Sequence, residues 1–219
     1  MVTAPDCVLD QPSIAQESSE MSYDILLAGV GGQGLMLLSA VLGEACTASE
    51  MKVVIQEQHG LAQRSGSITA HVRMGEAYSP MIPYGEANML IAMEAMEALR
   101  NIEYLRNEGT IVTNSKVIHP VIETNKLVVE RREVLPYVTF DDILVQLKKV
   151  TKQILVVDAV ALATEAGNPR TENVVLLGAA CACGGFPLKR SQLLHAVKKL
   201  VPSRTMDANL KAFELGEKG

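Results

Sequence analysis

A short apolar run that closes in a cluster of glycines and then turns helical is what most limits the folds open to this chain. Residues Tyr23–Gly29 read YDILLAG, almost continuously apolar. Such a run fits a central parallel strand, buried on both faces. Gly29-Val30-Gly31-Gly32-Gln33-Gly34 overlaps its end and matches G-x-G-x-x-G. Gln33–Ser49 then carries Leu35, Leu38, Leu42 and Ala45 at helical spacing, and Lys52–Gln56 (KVVIQ) is a second short strand. Strand, glycine turn, helix and strand within about thirty-five residues make a βαβ unit. The expected architecture is therefore α/β and Rossmann-like, a mostly parallel sheet with helices on both faces.

The remaining segments extend that pattern. Glu57–Gly66 (EQHGLAQRSG) is polar and reads as a loop. Ser67–Met74 (SITAHVRM) alternates, Ile68, Ala70 and Val72 on one side and Thr69, His71 and Arg73 on the other. That is a strand with one wet face, or an edge strand. Further strands are expected at Asn88–Met93, Thr110–Thr113, Lys126–Glu130 and Gln153–Val157, with helices at Glu94–Glu103 and Asp141–Val150. The last third reads as a helical C-terminal flank: Ala159–Ala166, Glu172–Gly184, Lys189–Leu200 and Arg204–Leu215. Within it Val174–Leu177, Ala179 and Ala180 offer more apolar surface than one helix face hides, so a partner-facing patch competes with packing on the sheet.

Composition narrows the function classes. The 219 residues are 48% hydrophobic and 21% charged, ordinary for a soluble globular protein. Net charge is −5, aromatics are 4% and Trp is absent, which argues against a nucleic-acid binder with its basic face and stacking rings. The longest apolar stretches, Ile154–Ala163 and Val174–Phe186, fall short of the roughly 20 residues a bilayer demands, so no membrane association is expected. Residues 1–20 hold four acidic side chains and no Lys or Arg, and read as a flexible acidic tail rather than a targeting signal. Met21 as the true start is one reading of it. One domain then spans residues 21–219. The four cysteines, Cys7, Cys46, Cys181 and Cys183, lack disulfide or zinc spacing and read as reduced thiols in a cytoplasmic protein.

Two features point to a binding site. In the glycine turn, residues without a Cβ let backbone approach a ligand, and the helix behind offers free N–H groups to a phosphate. NAD or FAD, another phosphate-bearing ligand, and tight helix–sheet packing all remain open. Glu57 lies near the place where a dinucleotide site keeps its ribose-binding acid. The second feature is the loop after the second strand, where Gln58, Gln63, Ser65 and Ser67 supply neutral hydrogen-bonding groups and Arg64 a planar cationic fork. His59, beside Gly60, suits a turn as well as a catalyst. The candidate binding residues are Gly29, Gly31, Gly32, Gln33, Gly34, Gln58, His59, Gly60, Gln63, Arg64, Ser65 and Gly66, with no catalytic residue and no metal ligand. P-loop, serine-hydrolase elbow and ferredoxin-type cysteine motifs are all absent. His119, His195, the Cys181/Cys183 pair, Met89, Met93 and Met96 read as structural.

The assembled pattern resembles the gamma-type subunits of 2-oxoacid:ferredoxin oxidoreductases, and within them the indolepyruvate branch. The resemblance is carried by GVGGQG (Gly29–Gly34), QHGLAQRSGSITAHVRMG (Gln58–Gly75), SPMIPYGEAN (Ser79–Asn88), EAMEALR (Glu94–Arg100), GNPRTENVVLLGA (Gly167–Ala179) and NLKAFELG (Asn209–Gly216). Asn88 stands where the family usually has Asp, and Ser65 where it often has Gly. The resemblance implies oxidative decarboxylation of indolepyruvate and other aryl pyruvates to an aryl-acetyl-CoA, with ferredoxin as acceptor. Within the family, a gamma subunit acting on pyruvate, 2-oxoglutarate or branched-chain 2-oxoacids is the alternative; outside it, a stand-alone NAD- or FAD-binding Rossmann protein. The chain lacks the Gly-Asp-Gly start of a thiamine-diphosphate motif and lacks cluster cysteines. Thiamine diphosphate, Mg2+ and iron–sulfur clusters are thus expected on an alpha subunit, joined in a heterodimer or heterotetramer. Ferredoxin is reached through that partner, CoA is a substrate, and this chain alone is expected to be inactive.

Overall fold

The computed structural model describes residues 22–60, 66–118 and 138–219. The expected strand at Lys126–Glu130, the acidic tail, Cys7 and His119 lie outside them. Six strands form one sheet: β1 (Tyr23–Val30), β2 (Val53–His59), β3 (Ser67–Met74), β4 (Ala87–Ala92), β5 (Leu105–Asn114) and β6 (Ile154–Val157), in the order β2-β3-β1-β4-β5-β6. β1, β4, β5 and β6 run parallel, and β3 runs antiparallel to both its neighbours. Five strands therefore point one way, and the mostly parallel α/β architecture holds.

Two readings of this half of the sheet are corrected. β3 is interior, wedged between β2 and β1, rather than an edge strand, and His71 on its expected wet side is fully buried. β2 is the edge strand instead. It also runs to His59, so Gln58 and His59 sit on the strand and not in the loop. A short loop and an antiparallel return give β2 its partner, which a plain βαβ crossover would not have placed there.

The central strand behaves as its apolar run implies. Ile25 and Leu27 point into one core layer while Leu26 and Ala28 point into the other, and β4 repeats this with Met89 and Ile91 against Leu90 and Ala92. Period-2 alternation with both faces covered is what a doubly wound sheet requires. One face carries α1 (Leu35–Thr47) and the C-terminal flank; the other carries α2 (Ala95–Arg100) and α3 (Phe140–Leu147). α3 opens with a capping box in which Thr139 and Asp142 exchange hydrogen bonds.

The flank comprises α4 (Ala159–Glu165), α5 (Glu172–Ala182), α6 (Arg190–Leu200) and α7 (Met206–Lys218). Here the patch expectation fails. Val174, Val175, Leu176, Leu177, Ala179 and Ala180 are all buried, because α5 is sandwiched between the sheet and α7. Two glycines make that contact possible: a Cβ at Gly178 would collide with the Phe213 carbonyl oxygen, and one at Gly216 with that of Val175. A helix with all-round apolar character is an interior helix. Cys46 is fully buried, and burial pushes its thiol up to about 11. Cys181 and Cys183 are half-buried against the same core, whereas His195 is exposed on α6.

Candidate functional site

The carboxyl ends of β1 and β4 converge where the glycine turn enters α1, and each glycine there has its own reason. At Gly29 a Cβ would stand 2.9 Å from the Met93 Cβ and 2.8 Å from the Leu35 Cδ1, so this glycine serves helix–sheet packing. Gly32 (φ 101°) and Gly34 (φ 78°) adopt left-handed backbone, which L side chains resist. Gly31 donates its N–H to the Gly66 carbonyl over 3.0 Å. Gln33 folds back over the turn, its Oε1 accepting the Val30 N–H at 2.8 Å and its Nε2 donating to the Met93 carbonyl at 3.4 Å. Much of the turn is thus satisfied by the chain itself, and what faces outward is Gly32, Gly34 and the start of α1, which has no side-chain cap.

A cavity of about 330 Å3 opens there, lined among others by Gly32, Gly34, Lys116, Arg170, Glu172 and Asn173. Asn173 is buried, and its Nδ2 holds the Gly34 carbonyl at 3.1 Å. Lys116 pairs with Glu172 across 3.5 Å, and Glu172 also accepts from Asn114 Nδ2 at 3.1 Å. Arg170 is exposed at the rim on a turn that Asn168 caps, its Oδ1 accepting the Arg170 N–H at 3.1 Å. The uncapped helix start, a lysine and an arginine together favour an anion.

A second cavity, of about 530 Å3, is lined by Gln58, His59, Gly60, Ser67, Thr69 and Asn101. Gln58 accepts from Thr69 Oγ1 at 3.4 Å and approaches Met81 Sδ at 3.3 Å. The Gly60 N–H donates to the Ser67 carbonyl at 3.3 Å, closing the base of the loop. The Gly31–Gly66 bond links this group to the glycine turn, but Gln58 and His59 ride β2, separated from β1 by β3. Gln63, Arg64 and Ser65 lie outside the described residues.

A dinucleotide reading loses its acid here. Glu57 accepts from Ser39 Oγ of α1 at 2.6 Å, and β2 stands two strand spacings, roughly 9.5 Å, from β1. The residue expected to meet a ribose is occupied in fastening α1 to the edge strand.

Sequence reasoning missed Glu94, Glu97, Asn173, Lys116 and Arg170 as members of this region, whereas Ser67 was read as one of its hydrogen-bonding groups. Glu94 is buried as the N-cap of α2, accepting from the N–H groups of Met96, Glu97 and Ile118. Burial pushes its carboxyl above the usual range, against the pull of those three donors. An acidic residue three before a second one, at the end of a strand, was the available capping signal.

Comparison with known proteins now decides the family. Residues 24–218 match the model described as pyruvate ferredoxin/flavodoxin oxidoreductase. The chain belongs to the pyruvate ferredoxin/flavodoxin oxidoreductase family. It is 40% identical over 202 residues to indolepyruvate oxidoreductase subunit IorB of Thermococcus kodakarensis, covering 90% of this chain and 95% of that one. It is 37% identical to the subunit of the same name from Methanothermobacter thermautotrophicus, covering 90% and 96%. In fold it is similar to the gamma subunit of a keto/oxoacid ferredoxin oxidoreductase from Geobacter sulfurreducens, with TM-score 0.64, 23% identity, and 90% and 96% of the chains covered. The resemblance read from the glycine turn, the Gln58–Gly75 stretch and the C-terminal motifs is borne out, and the chain is an oxidoreductase subunit of this family. Among the described residues no group of three or more His, Cys, Asp or Glu is placed to hold a metal ion, and no helix is long and apolar enough to cross a membrane.

Proposed function

We propose that this chain is the non-cofactor subunit of an indolepyruvate-type 2-oxoacid:ferredoxin oxidoreductase. The observation that carries the reading is the gap in similarity. The chain is 34–40% identical to four IorB subunits and only 25–26% identical to two 2-oxoglutarate synthase subunits KorC, at equal coverage of this chain. Thiamine diphosphate with Mg2+ and iron–sulfur clusters, on an alpha subunit, supply the decarboxylation and the electron transfer. Among the described residues no group of three or more His, Cys, Asp or Glu is placed to hold Mg2+ or a cluster. This chain's own part is to bind and orient. The uncapped start of α1, Lys116 and Arg170 form an anion-seeking edge, and Arg64, outside the described residues, is proposed as a further cation for the same anion. The anions this reaction brings are the CoA phosphates and the 2-oxoacid carboxylate. Ferredoxin docks on the partner, the assembly is a heterodimer or heterotetramer, and the setting is cytoplasmic.

Co-expression with the thiamine-bearing subunit tests this. The two chains should co-purify, and only the pair should oxidise indolepyruvate with CoA and a viologen acceptor. Nicotinamide-dependent turnover by this chain alone would instead favour the stand-alone reading.

A further inference from the structure

We propose that Glu97 is a positioning residue that fixes the glycine turn from the far side of the sheet edge. Glu97 is 1% exposed although it carries a carboxylate, and α2 on which it sits belongs to neither loop of the site. Its Oε2 accepts from Ser67 Oγ at 2.5 Å, and its Oε1 meets Arg100 Nη1 at 3.3 Å. The backbone of Glu97 is held as firmly as its side chain: Glu94 Oε1 accepts its N–H at 3.0 Å, and Asn101 Nδ2 donates to its carbonyl at 2.9 Å.

Ser67 is the junction that makes this matter. It opens β3 opposite Val30, the last residue of β1, so it sits beside the glycine turn. Its carbonyl receives the Gly60 N–H, and the residue before it, Gly66, receives the Gly31 N–H. Glu97, Ser67, Gly66 and Gly31 therefore form one relay from α2 to the turn. A buried carboxylate accepting from a hydroxyl is a strong, directional tie, and a buried charge is retained only where its partners are fixed. Arg100 is half-exposed and solvent-screened, so it neutralises Glu97 without needing to be its reason for burial.

The inference rests on the reading that this edge meets the anionic substrate, and its test separates the two. In the assembled two-subunit complex, Ser67→Ala and Glu97→Gln should speed hydrogen exchange in the peptide covering Gly29–Gly34 about fivefold, the scale of one lost hydrogen bond. The KM for CoA or for the 2-oxoacid should rise by a similar factor, and Ser67→Thr, which keeps the hydroxyl, should leave both at wild type. Unchanged exchange in the turn overturns the proposal. Faster exchange with wild-type KM values overturns it as well, because the turn would then be held to no functional end. A wild-type complex without 2-oxoacid turnover sinks the functional reading alone, and the exchange measurement still decides this one.

Discussion

The Gly31 N–H donates to the Gly66 carbonyl over 3.0 Å, so the first βα turn and the end of the loop after β2 are one piece of structure. Each half also has ties of its own, Gln33 to Val30 in the turn and Gly60 to Ser67 at the base of the loop. The Gly31–Gly66 bond spans β1 and β3, which are antiparallel and in register from Tyr23 opposite Met74 to Val30 opposite Ser67. Whatever meets the glycine turn therefore also meets Gly66 at the start of the run into β3.

Arg64→Ala should weaken the assembled enzyme without weakening the fold. A lost charge-assisted contact costs about 1.5–3 kcal/mol, so the affected KM or assembly constant should change roughly ten- to a hundredfold. Steady-state kinetics at varied CoA and varied 2-oxoacid, with a melting curve alongside, check it. Unchanged constants would remove Arg64 from the site.

Gly34→Ala should destabilise the fold and disturb the cavity together. At φ 78° an alanine is strained, and its Cβ would stand 2.6 Å from Asn173 Nδ2, displacing the side chain that holds the Gly34 carbonyl. The expected cost is about 1–3 kcal/mol, read as a shift in the urea midpoint. Gly32→Ala, at φ 101° but with open space around it, should cost only the backbone term, about 1–2 kcal/mol.

Gly178→Ala and Gly216→Ala should each be more damaging than either. In both, the new methyl meets backbone carbonyl oxygen of the facing helix, so α5 and α7 must separate. Overpacking of this kind costs about 3 kcal/mol or more, and at this chain size lowers the melting temperature by roughly 6–12 °C. A melting temperature within 2 °C or so of wild type would show that the two helices adjust freely.

His71 sets an acid limit on stability. Burial, with Arg73 nearby, lowers its pKa below 6.5. Its Nδ1 accepts the Ile82 N–H at 3.2 Å, which leaves the proton on Nε2, without a hydrogen-bond partner among the described residues, and its ring lies edge-on to Tyr104 at 5.3 Å. The folded state refuses a second proton that the unfolded chain takes readily. The contribution of this neutral form is therefore full above pH 6.5 and is lost as pH falls from there through the folded value. Its slope approaches about 1.4 kcal/mol per pH unit. His71→Gln should flatten the fall in urea midpoint between pH 7.5 and 5.5, and equal slopes in the two proteins would refute the assignment.

How much of this was legible beforehand follows from where each signal lives. The alternation of Ile25 and Leu27 against Leu26 and Ala28 is local, and an unbroken apolar run already implied two buried faces. The position of β3 was not local: SITAHVRM alternates like a half-exposed strand, yet α2 and Tyr104 cover the side that His71 occupies. The α5 run looked too apolar for one face because nothing in its own sequence says that Gly216, some forty residues on, lets α7 cover it. At the site, the glycines were visible but their separate reasons were not. Gly29 packs against Met93, and Gly34 answers to Asn173, both distant in sequence. The departure at position 88 is explained by its bond: Asn88 Oδ1 accepts the Asp24 N–H at 2.8 Å, as an Asp oxygen would, without a second carboxylate beside the Asp24–Arg73 pair.

The central claim is tested most directly by comparing kcat/KM for indolepyruvate and for 2-oxoglutarate in the complex of this chain with the proposed thiamine-bearing subunit, under saturating CoA and with ferredoxin as acceptor. The account predicts a clear preference for indolepyruvate over 2-oxoglutarate, in keeping with the higher identity to the IorB subunits than to the KorC subunits. It also predicts no turnover when either chain is omitted. Equal or reversed preference, or full activity without this chain, would contradict it.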